Sequence, residues 1–203
     1  MSNIIVQKFG GTSVGSVERI DAVADIIKNA SLSEKIVVVV SAMSGETNKL
    51  VSLAKHFGDN PDKREFDALV STGETISSAL LTMALHSKGV KARSFSATQI
   101  SMKTTSTYSK AKILDVDSNK IMSVIENDTI PIITGFQGVT ETGDITTLGR
   151  GGSDTTAVAI AAQINAKRCD IYTDVDGIYT TDPKIVSNAK KLDSITMEEM
   201  LEL

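Results

Sequence analysis

Ile4-Ile5-Val6-Gln7-Lys8-Phe9-Gly10-Gly11-Thr12-Ser13 is a β-branched run that breaks into paired glycines and hydroxyls. The residues after it place Val17, Ile20, Ala24 and Ile27 at helical spacing, with Glu18, Arg19, Asp21, Asp25 and Lys28 off that face. The pattern is strand, glycine turn, helix. Glycines directly after a strand let backbone N–H groups approach a phosphate chain, and the helix N-terminus that follows adds partial positive charge. The stretch therefore reads as an anion cradle, with Lys8 contacting phosphate beside Gly10 and Gly11; taken alone, Lys8 could equally be a solvated lysine at a strand end. It is not a Walker A loop, because Ser16-Val17 follow Gly15 where Lys-Ser/Thr is required. The order Gly-x-Gly-x-x-Gly is missing here, and the chain has no His-Arg-Asp or Asp-Phe-Gly.

Outward from this unit the same rhythm recurs. Ile36 to Val40, Ile130-Pro131-Ile132-Ile133 and Cys169-Asp170-Ile171-Tyr172 read as further buried strands. A second helical pattern runs from about Thr75 to Lys88 and ends at Gly89; a third opens near Ser153-Asp154 and carries Ala157, Val158, Ile160, Ala161 and Ile164. Strands alternating with helices predict an α/β fold with a mainly parallel sheet sandwiched between helices. Val139-Thr140 and Ile145-Thr146 around Gly143 predict one small β-hairpin, near residues 138–148. With 203 residues, 41% of them hydrophobic, and no low-complexity linker, the chain reads as one domain over 1–203. A formal charge of −4 with scattered lysines and arginines argues against nucleic acid. No uninterrupted apolar run predicts a membrane span, and the single cysteine, Cys169, reads as a buried inert thiol; the expected setting is reducing and cytoplasmic.

Four more clusters carry chemistry. Thr146-Thr147-Leu148-Gly149-Arg150-Gly151-Gly152-Ser153-Asp154-Thr155-Thr156 sets one arginine among glycines, with Ser or Asp as the expected helix N-cap. A guanidinium there suits a carboxylate gripped by two parallel hydrogen bonds, whereas a plain capped helix leaves Arg150 unexplained. Ser41 through Asn48 and Thr72-Gly73-Glu74 read as strand-end clusters, where ligands of open α/β sheets collect. Ser41 and Thr47 can bond a carboxylate and Glu74 an α-ammonium, although helix capping accounts for each one separately. Tyr172 through Lys184 fails the calcium-loop pattern and reads as a candidate nucleotide loop. His56 and His86 stand apart from the glycine clusters, so no nucleophile–base pair for hydrolysis is visible. Transfer of a phosphoryl group to a carboxylate needs none, because the acceptor is already anionic at pH 7.

With these clusters in order, the chain resembles the amino acid kinase family, and within it the aspartate kinases, over essentially its full length. The resemblance rests on Lys8 through Val14, Ser41 through Asn48, Thr72-Gly73-Glu74, Gly135-Phe136-Gln137-Gly138, Thr147 through Thr156 and Tyr172 through Pro183. It implies Mg-ATP and L-aspartate as substrates, 4-phospho-L-aspartate as product, and a place at the start of the route to lysine, threonine and methionine. It implies Lys8, Gly10, Gly11, Gly151 and Gly152 on the phosphates, with Lys8 and Asp154 catalytic and Asp154 organising the site. Ser41, Thr47, Glu74, Arg150 and Ser153 would surround aspartate, and Thr173, Asp174, Tyr179 and Lys184 the nucleotide. Magnesium would ride on the nucleotide rather than on a protein ligand set, and the full-length enzyme would be a homodimer or larger homo-oligomer.

Thr196-Met197-Glu198-Glu199 is a capping box opening a helix whose Met197, Met200, Leu201 and Leu203 need a partner surface. The expectation is a catalytic domain cut short at its C-terminal end. Similar chains continue into a Gly-Ala-Lys segment with another phosphate-facing lysine and then into regulatory ligand-binding domains, neither of which is in residues 1–203. The alternative reading is therefore a catalytically incomplete fragment that binds nucleotide and aspartate.

Overall fold

A computed structural model of the chain describes residues 3–175, 177–181, 185–186 and 188–196. Its elements in order are β1 (Ile4–Phe9), α1 (Val17–Ala30), β2 (Lys35–Val40), α2 (Glu46–Lys55), α3 (Lys63–Val70), α4 (Thr72–Ser87), β3 (Ala92–Phe95), β4 (Lys103–Thr104), β5 (Ile113–Asp115) and α5 (Ser118–Glu126). They continue with β6 (Ile130–Thr134), β7 (Gln137–Val139), β8 (Ile145–Thr147), α6 (Gly152–Gln163), β9 (Arg168–Tyr172), β10 (Ile178–Tyr179) and β11 (Lys191–Leu192). The chain divides into two compact units, Met1–Tyr172 and Thr173–Leu203.

The first unit is built on a five-stranded sheet of order β3-β6-β2-β1-β9, parallel throughout. Successive strand residues face opposite sides, and the two-residue period sorts the core cleanly. Ile4, Val6, Val37, Val39 and Ile133 pack on one face against Ile121 and Ile125 of α5 and Ala157 and Ile160 of α6. Ile5, Phe9, Ile36, Val38, Val40 and Ile132 pack on the other against Ile20, Val23 and Ile27 of α1 and Leu81 and Leu85 of α4. Val37 to Val40 have no exposed surface, and each such valine contributes about 1.5–3 kcal/mol of burial free energy. The α/β sandwich expected from the alternation is the observed architecture.

The hairpin is present as β7 and β8, antiparallel, with Gly143 at φ 91° in its turn. It belongs to a small second sheet of order β5-β4-β7-β8, which the sequence pattern did not announce. Three differences bear on the site. Thr72-Gly73-Glu74 is not a strand end but the first turn of α4, which begins three residues earlier than its apolar pattern. Ser71 keeps helical geometry and its N–H bonds the Asp67 carbonyl, so α3 runs into α4 without a capping break. The N-cap of α6 is Gly151, at φ 70°, and no side chain caps that helix; Ser153 and Asp154 lie inside it. Together α3 and α4 are long and apolar enough to cross a bilayer by composition, but half of the segment is buried, as in a core helix.

In the second unit β10 and β11 form an antiparallel pair, and the Thr180 N–H donates to the Lys190 carbonyl at 2.9 Å. The capping box at Thr196 extends into residues 197–199, outside the described residues.

Candidate functional site

Three parallel strands end side by side at their carboxyl edge. β1 delivers Lys8 and the glycine pair, β2 delivers Ser41 onward, and β6 delivers Gly135-Phe136. Close backbone approaches hold these turns together. Ser41 N–H donates to the Phe9 carbonyl at 3.1 Å, Gly135 N–H to Val40 at 2.9 Å and Ser44 N–H to Gly11 at 3.1 Å. A Cβ on Gly11 would lie 2.9 Å from the Ala42 carbonyl oxygen, so only glycine fits there.

Around this edge opens a cavity of about 350 Å³. Lys8, Gly11, Ser41, Thr47, Glu74, Gly151, Gly152, Ser153 and Asp154 all line it. These residues span almost 150 positions of sequence, and the fold brings them to one place. Gly10 is not among the lining residues, and its N–H is committed to the Tyr172 carbonyl at 3.0 Å. Arg150 sits between two glycines of the lining, Gly149 and Gly151, but its own side chain is exposed and does not line the cavity. Thr173, Asp174 and Tyr179 belong to the second unit, where Thr173 Oγ1 donates to Asp174 Oδ1 at 3.3 Å; Lys184 lies outside the described residues.

Two helices present uncapped N-termini to this cavity. Ser16, Asp62 and Asp117 cap α1, α3 and α5 with their own side chains. By contrast α2 begins at Gly45 and α6 at Gly151, both left-handed and both without a side-chain cap, and both line the cavity. The first amides of a helix have no carbonyl four residues back. Leaving them without a side-chain acceptor keeps N–H groups and the positive end of the dipole available for an anion.

The charged groups are of two kinds. Lys8, only 7% exposed, ends β1 on the face toward α6, and its Nζ lies 2.7 Å from Asp154 Oδ1. A buried ammonium needs an anion, and Asp154, half exposed, supplies one. Glu74 is 3% exposed. Its Oε1 accepts the Ala42 N–H at 3.2 Å, while its buried Oε2 has no protein partner. Burial raises the Glu74 carboxyl to about 7, against the smaller opposing pull of backbone N–H groups. A carboxylate held half satisfied on a cavity wall is suited to a cationic ligand group. Cys169 is half-buried in β9, and burial, then the Asp170 and Asp154 carboxylates, push its thiol up, away from reactivity.

Two further residues at the site, Phe136 and Gln137, are given no role by the sequence pattern. Phe136 lines the cavity at φ 66°, a strained conformation for an aromatic residue that surrounding contacts must enforce. Its N–H donates to Thr156 Oγ1 at 3.2 Å and its carbonyl accepts from Leu148 N–H at 2.9 Å. Gln137, 2% exposed, donates to the Ser71 carbonyl at 2.5 Å and accepts from Thr134 Oγ1 at 2.8 Å. It thus ties the start of β7 to the junction of α3 and α4. The only available signal was the Gly135-Phe136-Gln137-Gly138 run itself.

The chain has well-matched relatives. An aspartate kinase from Pseudomonas putida is 55% identical over 201 residues, 98% of this chain and 49% of that protein. The crystal structure of an aspartate kinase from Synechocystis superposes with a TM-score of 0.83 at 46% identity, covering 98% of this chain and 33% of that one. E. coli aspartokinase III, crystallised with aspartate and ADP, gives a TM-score of 0.84 at 31% identity, covering 94% of this chain and 53% of that one. The chain spans about half the length of the curated relatives it matches. A match to the family's sequence profile that runs from residue 3 to residue 203 completes the case: the chain belongs to the amino acid kinase family.

Proposed function

We propose that the chain is the catalytic part of an aspartate kinase, which transfers the γ-phosphoryl group of ATP to the side-chain carboxylate of L-aspartate. The observation that carries this reading is the pairing, in one cavity, of a half-satisfied buried carboxylate, Glu74, with a lysine and two uncapped helix N-termini. An amino-acid dicarboxylate has one ammonium for the first and two carboxylates for the others. The names of the relatives point the same way.

The chemistry asked of the protein is alignment and charge cancellation. Glu74 takes the α-ammonium. Ser41, at the end of β2, Thr47, in the first turn of α2, and Ser153 take the carboxylates, with Arg150 turning in from its glycine-flanked loop when substrate is present. Lys8 meets the charge that develops on the transferring phosphoryl, and Gly11, Gly151 and Gly152, which line the cavity, leave room for the phosphate chain, whereas Gly10 stands behind that lining. Asp154 holds the Lys8 ammonium in place. Its exposed half suits a water of hydrated Mg2+, which when bound with ATP neutralises the phosphates. Thr173, Asp174, Tyr179 and Lys184 are proposed for the nucleotide. The full-length enzyme is proposed to be cytoplasmic and homo-oligomeric, on resemblance alone.

The rival reading is a fragment that binds aspartate and nucleotide without turnover. ADP release in the presence of Mg-ATP, compared between aspartate and glutamate, separates the two. Aspartate-specific release is expected; binding of both ligands without release would favour the fragment.

A further inference from the structure

Asp67 lies in α3, has no exposed surface, and does not line the cavity. Its Oδ1 accepts from Ser109 Oγ at 2.9 Å and Thr147 Oγ1 at 3.0 Å. Its Oδ2 accepts the backbone N–H groups of Ser109 and Thr147, both at 2.8 Å. Burying a carboxylate costs several kcal/mol unless it is paired or fully hydrogen-bonded, and here four dipoles from two distant segments do the pairing. If α3 needed only to pack, an apolar side chain would serve at lower cost, so the four-way geometry is what calls for a purpose.

Each segment tied by Asp67 leads into a wall of the cavity. C-terminally, α3 runs through Ser71 into α4, and seven residues on from Asp67 stands Glu74. At about 1.5 Å per residue this is roughly 10 Å of continuous helix, too stiff for the two to move independently. On the other side, Thr147 opens the loop whose Gly149, Gly151 and Gly152 line the cavity and lead into Ser153 and Asp154. Ser109 backs the same loop: a Cβ on Gly149 would come 3.3 Å from its carbonyl oxygen, and Ala111 N–H donates to the Thr147 carbonyl at 2.9 Å.

We infer that Asp67 is a positioning residue that fixes the spacing between the Glu74 wall and the loop carrying the α6 N-terminus, and so sets the length of amino acid the cavity accepts. The inference rests on the aspartate reading of that cavity. A ligand held by its ammonium at one wall and its far carboxylate at the other is measured by the gap between them, and an extra methylene fits only if the gap yields.

The test uses the 203-residue chain with Asp67→Ala, Asp67→Asn and Ser109→Ala. Asp67→Ala is expected to raise the aspartate KM about tenfold and to lower the aspartate-to-glutamate ratio of kcat/KM, with the KM for ATP changing less than about twofold. Asp67→Asn is expected to restore the aspartate KM to within about threefold, because its carbonyl can keep both N–H groups while the two hydroxyls turn to accept from its NH2. An aspartate KM unmoved by Asp67→Ala in folded protein, or rising in parallel with that for ATP, would overturn the inference. If Asp67→Ala does not fold, Ser109→Ala removes one of the four donors, and an unchanged aspartate KM there would overturn it equally. Should the wild-type chain turn over no aspartate, the functional reading is what fails, and hydrogen exchange then reads the clamp directly. Amides 148–154 should exchange faster in Asp67→Ala, or in Ser109→Ala, than in wild type; equal rates would refute the clamp.

Discussion

The Lys8 ammonium and the Asp154 carboxylate meet at 2.7 Å, one at the end of β1 and the other in the first turn of α6. The contact joins the carboxyl edge of the sheet to α6 and holds a lysine of 8% side-chain exposure on the cavity wall. The Asp154 side chain is half exposed, while the Oδ1 that meets Lys8 is itself buried.

Lys8→Ala removes the charge expected to strengthen its hold as the phosphoryl transfers. The loss should be about 3 kcal/mol or more of transition-state stabilisation, read as a fall in kcat with aspartate KM little changed. A near-normal kcat would take Lys8 out of that role.

Glu74 makes stability and binding depend on pH. Its folded-state carboxyl titrates at about 7, above the ordinary 4.5. The native state therefore holds a proton that the unfolded chain gives up at lower pH, and stability falls as pH rises from about 4.5 through 7. The penalty is complete above that window and absent below it, about 3 kcal/mol at its full extent. Glu74→Gln should accordingly raise the Tm of the unliganded protein at pH 8 and leave it nearly unchanged at pH 4. The same residue should make aspartate affinity increase with pH through 7 in the wild type. Calorimetry in buffers of different ionisation enthalpy should then show a proton released on binding at pH 6, and none for Glu74→Gln.

Arg150 stands exposed between left-handed Gly149 and Gly151, so its removal costs the unliganded fold little. Arg150→Lys should leave the unliganded Tm unchanged and raise the aspartate KM, because a lysine cannot reproduce two parallel hydrogen bonds to a carboxylate. Steady-state kinetics with aspartate varied would show it; an unchanged KM removes Arg150 from the substrate site.

Gly135→Ala would put a Cβ 2.6 Å from both Cβ and Oγ of Ser153 and 2.9 Å from its Cα. The Oγ can rotate away, but the Ser153 Cα and Cβ are fixed by helix α6. Overpacking of this kind costs about 1–3 kcal/mol, which a lowered urea midpoint at constant m would report.

Much of this is legible in the sequence. The β-branched runs became β1, β2 and β6, and Gly143 sits in the turn of the hairpin it suggested. Nine of the residues singled out from glycine and hydroxyl clusters line one cavity, because strand–turn–helix units place such clusters at the same edge of a parallel sheet. What stayed hidden depends on contacts distant in sequence. Asp67 is 80 residues from Thr147 and Gln137 66 residues from Ser71, so neither stood out from ordinary polar residues of a helix or strand. Glu74 looked like a strand-end residue because Ser71, Thr72 and Gly73 read as a break, whereas they carry the helix on from α3 into α4. The α6 cap was misplaced because side-chain preference points to Ser or Asp, whereas a glycine in the left-handed region begins that helix and leaves its amides for a ligand.

The most direct test of the account is to incubate the chain with Mg-ATP and aspartate in hydroxylamine, which traps an acyl phosphate as its hydroxamate, with glutamate in parallel. Aspartyl hydroxamate formed in step with ADP, and absent with glutamate, is the predicted result. ADP without hydroxamate, or equal product from glutamate, would contradict transfer to the aspartate carboxylate.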